Sequence, residues 1–246
     1  MKTALITGAN KGIGFEVARQ LLKKGFYVYL GSRDLSNGNE AVGRLKADGL
    51  TQAEAIRLDV TDLASISAAR DEIGRRSAGL DVLINNAGIN GGAHPYTVAS
   101  ATADQYQAAF STNVIGTASV TNAFLDLLMT SPEPRIVNVS TSVGSLALQS
   151  NPDWPAYNFA KYVVYATSKA ALNMYTVHLA YELKDTKVKV NAVCPGLTAT
   201  DFTFFNGGEV SVAAERIIKY ALIGQDGPTG KFFSEETNPA TGEIPW

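Results

Sequence analysis

The stretch Thr3-Ala-Leu-Ile-Thr-Gly-Ala-Asn-Lys-Gly-Ile-Gly14 joins a short apolar run to a glycine-rich turn. Residues 12–24 follow as an amphipathic segment, in which Ile13, Val17 and Leu21 are spaced for one side of a helix. Glycines let the backbone approach a phosphate group closely, and a helix N-terminus offers free N–H groups and partial positive charge. This strand–turn–helix pattern predicts a nucleotide site, although such a turn can also be only a tight joint.

The same alternation continues along the chain. Further short apolar runs lie at residues 27–30, 55–58, 82–84, 136–139 and 188–193, with a weaker one at 231–233. Longer amphipathic segments separate them, most clearly at 104–128 and 165–183. The pattern predicts an α/β fold, a doubly wound Rossmann-type parallel sheet of about seven strands flanked by helices, with residues 1–246 as a single domain. Loops at 148–162 and 198–212 follow strands, so we expect them to border a substrate at the carboxyl edge.

Composition narrows the class of protein. The 246 residues are 46% hydrophobic and 18% charged, with a formal net charge of −2, which gives no electrostatic signature of nucleic acid or membrane binding. The sequence has no signal-peptide pattern and no apolar run of membrane-spanning length, and its single cysteine, Cys194, excludes an intrachain disulfide. Only two histidines, His94 and His178, are present, and no metal-ligand cluster is visible. We therefore expect a cytoplasmic protein without a metal site.

Residues after the second predicted strand bear on the choice of dinucleotide. NAD binding usually requires a carboxylate at this strand end, whereas NADP binding requires cations facing the 2′-phosphate. Ser32 stands where the acid would be expected, Arg33 follows, and Lys11 of the glycine-rich turn can approach from the other side. These cations favour NADPH. The alternative is that both are solvated surface charges and that Asp34 binds the ribose.

Two later strand ends offer further cofactor contacts. Asp59, followed by Val60, could accept a hydrogen bond from an adenine amino group or could cap the next helix. Asn86-Ala87-Gly88 follows the fourth strand, where small residues would let the chain pass beside a cofactor, or where they could form only a turn.

The chemistry is predicted to centre on Tyr165. Tyr165 and Lys169 are four residues apart and so share one face of a helix, while Ser140 ends the fifth strand. A neighbouring ammonium and a cationic nicotinamide would lower the pKa of the tyrosine and make it a usable acid–base catalyst, with Ser140 donating a hydrogen bond to the substrate oxygen. Tyr157 and Lys161 have the same spacing, but they follow a loop-like sequence, so we favour Tyr165.

Taken together and in this order, these motifs resemble the short-chain dehydrogenase/reductase family, most closely its NADPH-dependent carbonyl reductases. The resemblance implies a catalytic tetrad of Asn113, Ser140, Tyr165 and Lys169, in which Asn113 would hold a water for proton relay. It also implies a set of cofactor-binding positions. These are Gly8, Asn10, Lys11, Gly12, Ile13, Gly14, Arg33, Asp59, Val60, Asn86, Ala87, Gly88, Tyr165, Lys169, Pro195, Gly196 and Thr198, the last toward the nicotinamide amide. The implied reaction is hydride transfer from NADPH to the carbonyl of a ketone or aldehyde.

The sequence also departs from this pattern. A second basic residue expected soon after Arg33 is Asn37. The segment between Ser140 and Tyr165 is longer than in the tetrameric members and shorter than in the monomeric carbonyl reductases, so we favour a monomer, with a homodimer or tetramer as alternatives. Two other functions fit the same motifs: an NADP-binding regulatory module, or an alcohol or hydroxysteroid dehydrogenase running in the oxidative direction. Phe202, Phe204 and Phe205 either close over substrate or pack on the long helix.

Overall fold

The computed structural model describes residues 1–92 and 97–246, which contain one sheet of seven parallel strands. The strands are β1 (Thr3–Ile6), β2 (Tyr27–Ser32), β3 (Ala53–Arg57), β4 (Val82–Asn85), β5 (Arg135–Val139), β6 (Lys189–Val193) and β7 (Lys231–Phe233). Their order is β3-β2-β1-β4-β5-β6-β7, with parallel pairing throughout. The predicted α/β, doubly wound parallel sheet is confirmed.

Helices cover both faces of this sheet. They are α1 (Gly12–Lys23), α2 (Leu35–Ala47), α3 (Leu63–Arg76), α4 (Ala103–Phe110), α5 (Thr117–Met129), α6 (Leu146–Gln149), α7 (Val163–Glu182) and α8 (Val210–Ala221). One apolar core lies between the sheet and α1, α2 and α8, and a second lies between the sheet and α3, α5 and α7. Strand residues alternate between the two, as where Val82 and Ile84 enter the first core and Leu83 enters the second. Within the described ranges, none of these helices is both long and apolar enough to cross a bilayer.

The topology places a crevice at the middle of the sheet. β1 lies between β2 and β4, so the chain leaves β1 toward one face and β4 toward the other. Ligands of doubly wound sheets bind where such loops diverge, outside the carboxyl ends of the strands. The glycine-rich turn after β1 and the Asn86–Gly88 turn after β4 therefore face the same opening.

The helix predicted over 104–128 changes its winding in the middle. Between α4 and α5 the chain forms a π-helical turn, Ser111–Gly116, which contains Asn113. Gly116 passes so close to the loop after β3 that a Cβ there would lie 2.8 Å from the Val60 carbonyl oxygen. Thr117 donates its hydroxyl to the Asn113 carbonyl, at 3.1 Å. Apolar periodicity could not indicate this close contact, because Val60 belongs to a loop far away along the chain.

Both predicted substrate loops are shorter than the sequence suggested. The region 148–162 begins inside α6, because the Ser145 side chain accepts the N–H of Leu148 and caps this helical turn. The region 198–212 ends early, since α8 begins at Val210. The buried α8 residues, including Ala213, Ala214 and Ile217, pack against the first core and carry the helix up to that point.

The outer edge of β7 is covered by residues 242–246. Ile244 donates its N–H to the Phe232 carbonyl at 2.9 Å, and Ser234 donates its N–H to the Gly242 carbonyl at 2.7 Å. The Trp246 ring stacks on Phe232 with 5.3 Å between ring centres. These contacts use hydrogen-bonding groups that an open edge strand would present to another chain.

Candidate active site

The glycine-rich turn is built to leave N–H groups free. Gly8 and Gly12 adopt positive φ values of 62° and 57°, which disfavour any residue with a Cβ. α2 and α3 begin with aspartate caps, Asp34 and Asp62, whereas no side chain in the described parts of the chain caps α1. The N-terminus of α1 therefore keeps its positive end and its N–H donors available for an anionic group such as a pyrophosphate.

Asn86 lies beneath this turn and holds its shape. Its side-chain amide donates to the Thr7 carbonyl at 2.9 Å and to the Gly8 carbonyl at 3.1 Å. Thr7 in turn binds the segment after β4, because its hydroxyl accepts the N–H groups of Asn86 and Ala87. Thr7 was not predicted as a site residue, and Asn86 supports the glycine-rich turn, which is closer to the turn role left open for it than to a cofactor contact.

The two cations expected at the phosphate end, Arg33 and Lys11, differ in their surroundings. Arg33 is exposed at the end of β2, whereas Lys11 pairs with Asp201 at 2.7 Å across the crevice. A third cation, Arg44 of α2, donates to the Asn10 carbonyl at 3.1 Å and stacks over the Phe15 ring. Arg44 was not predicted, because its distance along the chain gave no sign that α2 would bring it to the glycine-rich turn.

The carboxylates near this end are already engaged. Asp34 accepts the N–H groups of Ser36 and Asn37, at 2.7 and 3.3 Å, as the cap of α2. Asp59 accepts both the N–H and the hydroxyl of Thr61. Burial raises the pKa of Asp59, but the Thr61 hydrogen bonds and the charge of Arg33 outweigh it and hold the pKa below its usual value. Asp62, rather than Asp59, caps α3.

Helix α7 carries the predicted acid and its partner. Tyr165 lies in the first turn and Lys169 one turn later, with the Lys169 nitrogen 5.8 Å from the centre of the Tyr165 ring. That nitrogen donates to the Val139 carbonyl at 2.7 Å, immediately before Ser140. Tyr157 lies in a turn before the helix, under the ammonium of Lys161, which binds Gln149. Only Tyr165 of the two candidate tyrosines is helical.

Asn113 reaches toward the same point from the π-helical turn. It is fully buried, accepts the N–H of Ile89 at 2.9 Å and donates to the Ile89 carbonyl at 2.8 Å. A Cβ on Gly88 would lie 3.3 Å from the Asn113 side-chain oxygen and 3.5 Å from the Lys169 nitrogen. Gly88 thus separates two of the predicted tetrad members, and both face it.

Ser140 has a partner that the sequence analysis missed. Its hydroxyl donates to the side-chain oxygen of Asn173 at 2.6 Å, and both side chains are buried. Asn173 lies one helical turn after Lys169, so Tyr165, Lys169 and Asn173 form a row along α7. The i, i+4 spacing was visible in the sequence, but an asparagine on a helix carries no signal of its own.

Burial sets the protonation of the two titratable groups. It raises the pKa of Tyr165 and lowers the pKa of Lys169 to about 8. The lowering predicted from the sequence also requires a cationic nicotinamide beside the ring, so it stays a prediction. In the protein alone, desolvation of the phenolate sets the direction of the shift. Tyr165 is therefore a neutral phenol at neutral pH, which is the form that donates a proton.

The turn after β6 is stabilised by side chains from α8 and from the segment after β7. Gly196 has a φ of 88°, Arg216 donates to the Pro195 carbonyl at 2.7 Å, and Glu236 accepts the N–H of Leu197. Thr198 is buried and donates its hydroxyl to the Gly196 carbonyl. Glu236 and Arg216 were not predicted, because both come from elements far along the chain.

The segment that follows this turn lies across the crevice. A Cβ on Gly12 would contact the Thr200 side chain at 3.5 Å, and Asp201 holds Lys11. The Phe202 ring lies 5.4 Å from that of Tyr165, so Phe202 both packs on α7 and borders the site. Phe204 and Phe205 are exposed and have positive φ values. His94 lies outside the described residues, and in the remainder no three His, Cys, Asp or Glu side chains form a metal cluster.

The sequence pattern of the family described as short chain dehydrogenase matches residues 2–206. The chain belongs to this family. As a short-chain dehydrogenase it is an oxidoreductase, and the predicted family membership is confirmed.

Several members of the short-chain dehydrogenase family match most of the chain. Salutaridine reductase of Papaver bracteatum is 33% identical over 305 aligned positions, covering 95% of this chain and 94% of the relative. (-)-Isopiperitenone reductase of Mentha piperita is 34% identical, with 95% and 96% covered. The solved structure of an NADPH-bound carbonyl reductase from chicken fatty liver has a TM-score of 0.84 and 26% identity, covering 100% of this chain and 99% of that one. Since 305 positions exceed 246 residues, the Papaver reductase carries segments that this short-chain dehydrogenase lacks.

Proposed function

We propose that this short-chain dehydrogenase reduces the carbonyl of a ketone or aldehyde with NADPH as its hydride donor. The observation that carries the proposal is the pairing of Tyr165 with the buried Lys169 on α7, next to the end of β5 that leads to Ser140. The relatives named above, which are reductases, support the same reaction.

Each residue of the site has a role in the reaction that follows from the atoms it offers to the substrate or the cofactor. NADPH, when bound, supplies the hydride. Tyr165 donates its phenolic proton to the carbonyl oxygen, and Lys169 stabilises the phenolate that remains. Asn113 fixes the chain at Ile89, next to Gly88, which lies close to Lys169. The glycine-rich turn and the free N-terminus of α1 fit the cofactor's pyrophosphate.

The phosphate end favours NADPH over NADH. Ser32 donates its hydroxyl to the Asp34 carbonyl, and the Asp34 carboxylate caps α2, so the nearest acid is occupied rather than presented to a ribose. Arg33 and Arg44 bring two cations to the same end. Arg44 offers the second basic group that Asn37 does not supply.

The assembled residues separate an enzyme from a regulatory module. A regulatory module would need no assembled Tyr165, Lys169 and Ser140. Tyr165 starts with its proton in the reductive direction and as the phenolate in the oxidative direction. Reduction is the direction that the names of the relatives above indicate.

The proposal is tested by following oxidation of NADPH and of NADH with a panel of aldehydes, aryl ketones, cyclic ketones, diketones and keto esters. We expect turnover of at least one carbonyl with a preference for NADPH. Binding of NADPH without turnover of any carbonyl, together with no oxidation of the corresponding alcohols, would instead favour the regulatory module.

The cofactor assignment predicts the behaviour of Arg33→Ala. A charge-assisted hydrogen bond contributes about 1.5–3 kcal/mol, and about 1.4 kcal/mol is a tenfold change, so the Kd for NADPH should rise roughly 10- to 100-fold. The Kd for NADH should hardly change, because NADH has no 2′-phosphate. Fluorescence titration of both cofactors measures this. Equal losses for both would show that Arg33 supports the fold or the adenine ring instead.

We also propose that the enzyme is a monomer in the cytoplasm. The hydrogen bonds between β7 and residues 242–244 support the monomer, because they occupy an edge at which the sheets of two subunits could join. One buried cysteine, Cys194, is compatible with a reducing compartment.

A further inference from the structure

We infer that Asn173 is a positioning residue for the proposed reduction, which acts through Ser140 by holding the hydroxyl hydrogen of that serine away from the substrate. The inference rests on the proposed function. It assigns a role to a side chain outside the four that the family resemblance implied.

The direction of the hydrogen bond follows from the groups around Asn173. Its amide nitrogen donates to the Gly144 carbonyl at 3.2 Å, and a carbonyl can only accept. The side-chain oxygen of Asn173 must then face Ser140, at 2.6 Å. Exchanging the two ends of the amide would set two acceptors against each other at Gly144. The Ser140 hydroxyl is therefore the donor in this pair.

Burial protects the hydrogen bond between Ser140 and Asn173 from competition by water. Ser140 is 2% exposed and Asn173 is 3% exposed, so water cannot readily replace either partner. Gly144 itself is fixed by close packing, because a Cβ there would lie 2.9 Å from the Lys169 Cβ. The carbonyl that orients Asn173 thus rests on the same helix that carries Tyr165 and Lys169.

This arrangement changes the part that Ser140 plays. A serine hydroxyl has one hydrogen and two acceptor lone pairs. With its hydrogen committed to Asn173, Ser140 offers only lone pairs to the active site. It can accept a hydrogen bond from the Tyr165 hydroxyl or from the alcohol product, and it cannot donate to a ketone without losing the Asn173 bond. Ser140 then orients the proton that Tyr165 transfers, which differs from the donor role predicted from the sequence.

The experiment is a double-mutant cycle on kcat with Asn173→Ala, Ser140→Ala and the double variant, using any carbonyl that the wild type reduces. We expect Asn173→Ala to lower kcat about tenfold, as for one oriented hydrogen bond, with KM for NADPH unchanged. In the Ser140→Ala background the same substitution should have almost no effect on kcat, because its only route is already removed. A purely structural role would give equal losses in both backgrounds, and that result would overturn the inference.

Two further variants guard against trivial explanations. Asn173→Gln keeps an amide oxygen that can accept from Ser140 and an amide nitrogen that can donate to Gly144, so it should retain more activity than Asn173→Ala, and it carries the same cycle if Asn173→Ala does not fold. Thr176→Val is the control, because it removes the hydroxyl of another buried α7 side chain, which is bonded to Asn138 at 2.9 Å. When this variant is folded, its kcat should be close to that of the wild type. If Asn173→Gln is as impaired as Asn173→Ala at equal Tm, the inference is wrong.

A separate measurement distinguishes failure of the proposed function from failure of this inference. If the wild type reduces no carbonyl, the same cycle is measured on the Tm with NADPH bound. Additive Tm changes would then contradict the link between Asn173 and Ser140, whereas coupled changes would keep the link and reject only the reductase activity.

Discussion

At the scale of single residues, the site depends on which groups hold a proton. Desolvation raises the pKa of Tyr165, which keeps its proton, and lowers the pKa of the buried Lys169 to about 8. Asn113 and Asn173 carry no charge, but each fixes the position of a neighbouring polar atom. The chemistry therefore depends on desolvation and orientation as well as on the attraction between a phenolate and an ammonium.

Substitution of the acid should have the largest effect of any single change. Tyr165→Phe removes the proton donor and should lower kcat by about two to four orders of magnitude, with NADPH binding largely kept. Tyr157→Phe is the matched control, because this tyrosine has the same spacing to a lysine but lies in a turn. A larger loss in Tyr157→Phe would show that the wrong tyrosine has been assigned.

The lowered pKa of Lys169, about 8, predicts the pH dependence of reduction. Below pH 8 the ammonium is present and stabilises the phenolate that remains after proton donation, so kcat should be level. Above pH 8 kcat should fall as the charge is lost. Profiles at saturating NADPH for the wild type and Lys169→Met test this, and the variant should be slow and lack the fall near pH 8.

The same shift has a consequence for stability, whose sign follows from proton binding. The folded lysine titrates near 8 and the unfolded one near 10.5, so the unfolded chain binds more protons between these values. Lys169 therefore makes the free energy of unfolding rise with pH across this window. Urea titrations of the wild type should show that rise, and those of Lys169→Met should lack its contribution. A wild-type profile that fell over the same range would contradict the lowered pKa.

At the scale of elements, two segments meet across the crevice. The glycine-rich turn contributes Lys11, and the short turn Asp201–Thr203 after β6 contributes Asp201. Both side chains are more than half exposed, so the pair is a weak surface contact of at most about 1 kcal/mol. It nevertheless occupies a lysine that the 2′-phosphate of NADPH would attract.

Release of Lys11 should therefore strengthen binding. Asp201→Asn should lower the Kd for NADPH a few-fold at low salt and leave that for NADH unchanged, with the difference disappearing at high salt. Asp226→Asn removes an equally exposed carboxylate at the opposite edge of the sheet and should change neither value. Equal gains for both cofactors would mean that Asp201 acts on closure of the segment rather than on the phosphate.

The elements also show what a sequence can and cannot reveal. Short apolar runs were sufficient to predict all seven strands, and the Tyr165–Lys169 spacing was sufficient to place both on one helix face. Contacts between distant segments were not predictable: Arg44 reaches Asn10 only because α2 packs beside β2, and Glu236 reaches Leu197 only through β7. Such pairings depend on the finished topology, and neither residue type nor local spacing encodes them.

At the scale of the whole molecule, the sheet has two unlike edges. β3 is one edge strand, and β7, at the other, is bonded to residues 242–244. Light scattering at micromolar concentration should accordingly give a mass near 26.1 kDa. Ile244→Asp places a charge in a buried position and should detach this cover, lower the Tm and make the mass depend on concentration. A tetramer mass for the wild type would refute the monomer.

The π-helical turn at Ser111–Gly116 has a consequence for how this enzyme can be altered. An α-helix turns by about 100° per residue, and a π-helical turn accommodates one residue more than its α-helical equivalent. Deleting Val114 would remove that extra residue and let α4 and α5 join as one regular helix, so the residues inside the turn would change the direction in which their side chains point. Asn113 could then no longer reach both polar atoms of Ile89 while Gly116 stayed against Val60. Apart from Asn113 and Gly116, this stretch should therefore tolerate changes of side chain better than any change in its number of residues.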